Sequence, residues 1–311
     1  MRRLLIALVF AAGFGSGFPA MGIPADEVPQ LIFQLLRGPG PQADRAIERL
    51  RYIGPRDAGP PLRALLASDD TRTRVAITSA LVVVRDPDAA PQLIRCLQDR
   101  DWEVRRNAVQ ALAAVRSRSA IHPLETTLLM DESDRVRKVT VQALAGLNAG
   151  GRALATVAKR DGSIEIRLAA LDALTHTLDP SVGFILRPLL SDASGMVRFA
   201  AARALAWQGD AAAKELLTKT ATGPDPELAR RAITAVSDVP KVWAVDLLVR
   251  ELDATDFETA LLSAAGLARR GDTRGSRYLI KAAASGGERG EQAEKMMNKL
   301  SISPVDPKWR E

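Results

Sequence analysis

The chain has 311 residues, 47% apolar but only 4% aromatic, with 43 Lys and Arg against 37 Asp and Glu, a formal charge of +6 and one cysteine, Cys96. A lone cysteine excludes an intrachain disulfide and a cysteine-based metal site. Abundant Ala and Leu with few aromatic or β-branched runs point to helices, because those residues lose little on entering one.

From the N-terminus, "MRRLLIALVFAAGFGSGFPAMG" sets Arg2 and Arg3 before an apolar stretch, Leu4 to Phe14, followed by small residues. That order is the pattern of a secretory leader, so residues 1–22 are expected to be a signal peptide and the protein to be exported, periplasmic or secreted. Small residues offer two cleavage sites, Ala20-Met21-Gly22 and Gly15-Ser16-Gly17. An uncleaved membrane anchor is the alternative, although the apolar run is short for a span. Loss of the leader removes two arginines and no acid, which leaves 41 basic against 37 acidic side chains and a mildly basic mature chain with no stable membrane span.

Beyond residue 26 the sequence repeats itself. "DWEVRRNAVQALAAV" (101–115) returns as "SDRVRKVTVQALAGL" (133–147), and alignment on this motif places Arg74, Arg105, Arg137, Arg167 and Arg198 in one column, at intervals of 31, 32, 30 and 31 residues. The register continues through Ala229 and Ala260, and a small residue follows six positions after each column member, from Ala80 to Gly266. Within one copy Val104, Ala108, Ala111, Leu112 and Val115 stand at three- and four-residue steps, one buried face of a helix. A more variable apolar helix precedes each, as in "PDAAPQLIRCLQ", often with Pro in its first turn, where the missing N–H costs nothing. Asp, Ser, Gly and Pro between the helices supply caps and stops. In "QGD" (208–210) and "RGD" (270–272) the Gly ends one helix and the Asp starts the next, so the second tripeptide reads as a turn rather than an adhesion motif.

One such hairpin cannot bury its own apolar face, so neighbours must stack. The pattern D-x-x-V-R-x-x-A-x-x-A-L, carried by "DWEVRRNAVQAL", resembles the HEAT-like repeats related to those of the phycobilisome lyases. That resemblance covers residues 26–300 and implies an all-α, right-handed α-solenoid of about eight helical hairpins with a period of about 31 residues. It also implies that the repeated arginines form a structural ladder, pairing with acids at the inter-repeat turns; Asp70, Asp101, Asp134, Asp161 and Asp192 stand nearby. An anion-binding ladder is the alternative. The polar stretch "ERGEQAEKMMNKL" fits a terminal cap, and residues 301–311 an extended tail in which Trp309 docks or stays disordered.

Catalytic machinery is not visible. His122 and His176 are far apart, there is no H-E-x-x-H, no G-x-S-x-G elbow and no phosphate-cradling glycine loop outside the leader, so no catalytic residue, metal or cofactor is expected. One stripe of the second helices is not explained by packing alone. In a HEAT-like superhelix these helices line the concave side, and there the stripe carries Arg106 and Gln110, Lys138 and Gln142, then Asp172 and His176, Phe199, Arg203 and Trp207, and Arg230. Aromatics and arginine with a polar escort are the types enriched at binding hot spots, although Phe199 and Trp207 also suit wide gaps between alanine-rich helices. Gln142, Asp172, His176, Phe199, Arg203, Trp207 and Arg230 are therefore the candidate partner-binding residues. The expected function is a non-catalytic, monomeric bacterial scaffold holding a protein partner on its concave face; a nucleic-acid-binding solenoid and a bilin-lyase-like protein that positions a tetrapyrrole are the alternatives.

Overall fold

A computed structural model of the protein describes residues 26–175 and 180–302. The leader, His176 and Trp309 lie outside the described residues. All regular structure among those described is helical, and the chain divides into two compact units, Met1–Val157 and Ala158–Glu311.

The first unit runs through α1 (Glu27–Leu36), α2 (Pro41–Ile53), α3 (Pro55–Leu65), α4 (Thr71–Val84), α5 (Ala90–Cys96), α6 (Trp102–Ala114), α7 (Ile121–Met130) and α8 (Asp134–Gly146), and its boundary falls within α9 (Gly151–Arg160). These make four hairpins, with α4, α6 and α8 side by side and each packed on the helix before it. Local chemistry fixes the ends. The Asp70 carboxylate accepts the Thr73 N–H at 2.9 Å, and Asp101 accepts those of Glu103 and Val104 at 2.8 and 3.3 Å, so each answers orphan donors of a first turn. Proline stands in the first turn of α2, α3 and α5. In α6, Val104, Ala108, Ala111 and Leu112 are fully buried, whereas Val115, at the C-cap, is half-buried.

The second unit runs through α10 (Ile164–Leu174), α11 (Pro180–Leu186), α12 (Gly195–Gln208), α13 (Ala211–Ala221), α14 (Pro226–Val236), α15 (Val242–Arg250), α16 (Phe257–Arg269), α17 (Thr273–Ala284) and α18 (Gly287–Lys299). Beginning with α11 these again form four hairpins, and α10, α12, α14 and α16 pack in succession. Gly209 and Gly271 end α12 and α16 with φ of 91° and 75°, values an L side chain adopts only with strain. Asp210 and Asp272 then cap the helices that follow, accepting from Ala213 and Arg274 at 3.0 Å each. At Gly275 α17 comes so close to α16 that a Cβ would lie 2.3 Å from the Ala264 carbonyl oxygen. Ala293 and Met297 of α18 close the core cluster of Leu261, Ala264 and Leu279, so the polar helix does cover an apolar end.

Candidate functional site

The arginine column is built as a series of rungs. Arg74 points Nη1 at the carbonyls of Ser68 and Asp69, 2.9 and 3.2 Å away, and its Nε and Nη2 clasp Asp99 at 2.7 and 3.0 Å. Arg105 repeats this with the carbonyls of Asp99 and Arg100 at 2.9 and 3.2 Å and with both oxygens of Asp131 at 2.7 and 3.0 Å. Each guanidinium thus ties the turn before its own helix to the turn of the next hairpin.

The aspartates work twice. Asp99 accepts the N–H of Asp101 and Asp131 that of Ser133, both at 2.9 Å, so the first residue of each D-x-[DS] turn shapes its own loop while holding the previous arginine. Arg137 donates to the carbonyls of Asp131 and Glu132 at 2.9 and 3.2 Å and pairs with Asp134. Arg167 reaches the Ala158 carbonyl at 2.8 Å and pairs with Asp192.

One detail corrects the sequence reading. The partners of Arg74 and Arg105 are Asp99 and Asp131 rather than Asp70 and Asp101, whose carboxylates cap α4 and α6. The Arg105–Asp131 pair is almost out of water, with the two side chains 9% and 4% exposed. Burial raises the Asp99 carboxyl, but Arg74 and the N–H of Asp101 outweigh it and hold the group below the usual carboxylate range. At Asp192 the hydrogen bond from Arg167 is the largest influence and acts in the same direction.

In the second unit the ladder breaks. Arg198 keeps the carbonyl contacts, to Asp192 at 2.7 Å and Ala193 at 3.1 Å, but the residue 25 positions on is Gly223. At the next rung Ala229 replaces the arginine and Ala254 the aspartate, and a cavity of about 290 Å³ lined by both alanines, Glu251 and Asp256 opens there. Arg230, one position along, reaches Asp256 and Glu258 at 3.1 and 2.9 Å and Glu227 at 3.0 Å. Its charge is thus answered within the fold.

The second-helix stripe keeps part of its predicted company. Arg203 of α12 donates through Nη2 to Asp172 of α10 at 2.6 Å; the arginine side chain is 26% exposed and the carboxylate 73%. Arg203 Nε is buried and makes no hydrogen bond among the described residues. Phe199 and Trp207, one turn to either side of Arg203, are half-buried. Gln142 is exposed on α8 of the first unit, and Arg106 bonds Asn107 while stacking over the Trp102 ring at 5.4 Å.

Other motifs are absorbed by the architecture. Arg270 of "RGD" donates to the carbonyls of Ser237, Val236 and Val239 at 2.9, 3.1 and 2.7 Å, and Asp272 caps α17 and pairs with Arg274 at 2.6 Å, so both charged ends of the tripeptide are engaged. Burial pushes the Cys96 thiol up to about 11, which leaves it an inert core group. Among the described residues no group of three His, Cys, Asp or Glu side chains is placed to hold a metal ion, and no helix is long and apolar enough to cross a membrane.

Several solved structures are similar to this chain. Importin beta aligns with a TM-score of 0.56 at 16% identity, over 96% of this chain and 48% of its own. The complex of CpcE and CpcF of phycocyanin lyase from Nostoc sp. PCC7120 aligns with 0.42 at 20% identity, over 92% of this chain and 99% of that one. An engineered protein gives 0.45 at 21%, over 96% and 89% of the two chains. No curated protein matches the sequence. The family model of HEAT repeats matches residues 59–145 and 151–237, more than half of the chain, and with the stacked hairpins and their arginine rungs it places this all-α solenoid in the HEAT-repeat family.

Proposed function

We propose that this HEAT-repeat protein is an exported scaffold, without catalytic machinery of its own, that holds a protein partner against the second-helix face of its second unit. The observation that carries the reading is the Arg203–Asp172 pair, one repeat apart, with Phe199 and Trp207 a turn to either side on α12. Half-buried aromatics around a partly desolvated arginine are what interface hot spots are made of, because they offer contact area at low entropic cost beside a directional charge. The nucleic-acid alternative draws on the arginine column, and most of those guanidinium groups are already turned towards carboxylates and carbonyls inside the fold. Export rests on the order of charge, apolar run and small residues in 1–22.

The test is photo-crosslinking in the native host from a benzophenone side chain placed at position 207. A recurrent protein adduct that disappears in the Phe199→Ala, Arg203→Ala double variant, with the circular dichroism of that variant unchanged, is the expected outcome. Adducts that form only when the probe sits on a first helix, at position 184 for example, would sink the second-helix reading. Fractionation of the host checks export, since recovery of the full-length chain from the cytoplasm alone contradicts it, and the mass of the exported protein tells whether residues 1–22 are removed.

A further inference from the structure

Among the described residues Arg198 is the ladder arginine whose fork stands open. Its Nη1 is held by two carbonyls, six and five residues back, at the offsets that orient Arg74, Arg105 and Arg137. In Arg74 and Arg105 the remaining two edges, Nε and Nη2, clasp an aspartate carboxylate side-on. In Arg198 those edges meet no carboxylate among the described residues, because the aspartate 25 positions along is replaced by Gly223, which has no side chain. Asp192, the nearest acid in sequence, lends Arg198 its backbone carbonyl while its carboxylate goes to Arg167. A second cation flanks the position: the guanidinium of Arg231, held by Glu227 at 3.0 Å, lies with that of Arg198 against Gly195 at the start of α12.

We propose that Arg198 is a receptor for a carboxylate of a partner polypeptide, which docks side-on in the place the chain's own aspartate holds at the complete rungs. The guanidinium fork matches a carboxylate with two parallel N–H···O bonds. Two carbonyl bonds already fix its orientation, so little side-chain freedom remains to be lost on binding. Acidic side chains and a chain-terminal carboxylate share this chemistry. The site sits on the turn edge of the unit and uses neither Arg203 nor Trp207.

The experiment follows the arginine Nε–H signals of the full-length protein by ¹⁵N NMR, with the Arg198 signal assigned by its loss in Arg198→Lys. N-acetyl-aspartate N-methylamide, mimicking an acidic side chain, and N-acetyl-alanine, mimicking a chain terminus, are titrated separately. The expected result is a saturating shift of the Arg198 signal with at least one probe, the stronger response naming the source, and loss of that saturation in Gly223→Asp, where the chain supplies its own carboxylate. A Cβ at position 223 would lie 3.3 Å from the carbonyl oxygens of Lys219 and Thr220, so the fold of this variant is checked by thermal melting. Saturation-transfer measurement of probe binding to Arg198→Lys, which keeps the charge without the fork, gives an independent reading. No saturating shift with either probe, an unchanged shift in folded Gly223→Asp, or equal binding by Arg198→Lys overturns the proposal. Every variant leaves the second-helix stripe intact, so this site and the proposed partner face fail separately.

Discussion

The two units stack the same hairpin with different stitching. In the first, Arg74 and Arg105 each meet two carbonyls and a chelating aspartate. In the second, Arg167 meets an aspartate, Arg198 meets only carbonyls, and the next rung is an alanine pair beside a cavity. Yet α12, α14 and α16 still pack in succession across the broken rungs. The ladder is therefore not what makes the hairpins stack. The apolar face does that, and the rungs set the register of the turns, as expected of ion pairs whose desolvation cancels much of their attraction.

If the apolar face dominates, cutting it should cost most. Leu112→Ala removes a fully buried side chain from α6 and should lower the unfolding free energy by roughly 2–5 kcal/mol, read by urea denaturation. A loss below that of any rung variant would reverse this ranking. Next comes Asp131→Ala, which strands the guanidinium of Arg105. The expected loss is about 1.5–3 kcal/mol, since the two carbonyl bonds remain and Glu132, 3.6 Å away, is a partial substitute. At the corresponding position of the second unit, Ala254, there is no such pair to break.

Acid should find the complete rungs as well. Asp99 and Asp192 are held below the ordinary carboxylate range, so the stability they contribute is fully present above the unfolded value near pH 4 and drains away as pH falls through their folded values. Melting temperature should thus fall as pH drops below about 4, and Asp99→Asn should flatten that fall. An identical acid profile in the asparagine variant would show that the rung carboxylate is not linked to folding. The smallest effect belongs to Ala229→Arg with Ala254→Asp, which rebuilds the missing rung in the cavity. A gain under about 1 kcal/mol is expected, because a new pair must lose its water and its side-chain freedom. A gain larger than the Asp131→Ala loss would mean that the rungs, and not the apolar face, drive stacking.

Much of this was readable from residues alone, and the reason is locality. Helix faces, the 31-residue period, the Asp caps at 210 and 272 and the left-handed glycines at 209 and 271 depend on neighbours within one or two turns, so spacing determined them. Pairing was a different matter. Nearness in sequence favoured Asp70 and Asp101 as ladder partners, but a carboxylate at an N-cap is already aimed at its own helix's free N–H groups and turned away from the arginine four residues on. The true partners lie 25 or 26 residues along, and only stacking brings Asp99 to Arg74 and Asp131 to Arg105. Once that offset is known, the D-x-[DS] turns mark it in the sequence, and Gly223 and Ala254 mark where it fails. The second-helix stripe shows the same division. Sequence determined that Asp172, Arg203, Phe199 and Trp207 share a helical phase; tertiary structure decided that Arg203 would close on Asp172 and that Arg230 would turn to Asp256, because a guanidinium part-way out of water goes to whichever carboxylate the packing sets within reach.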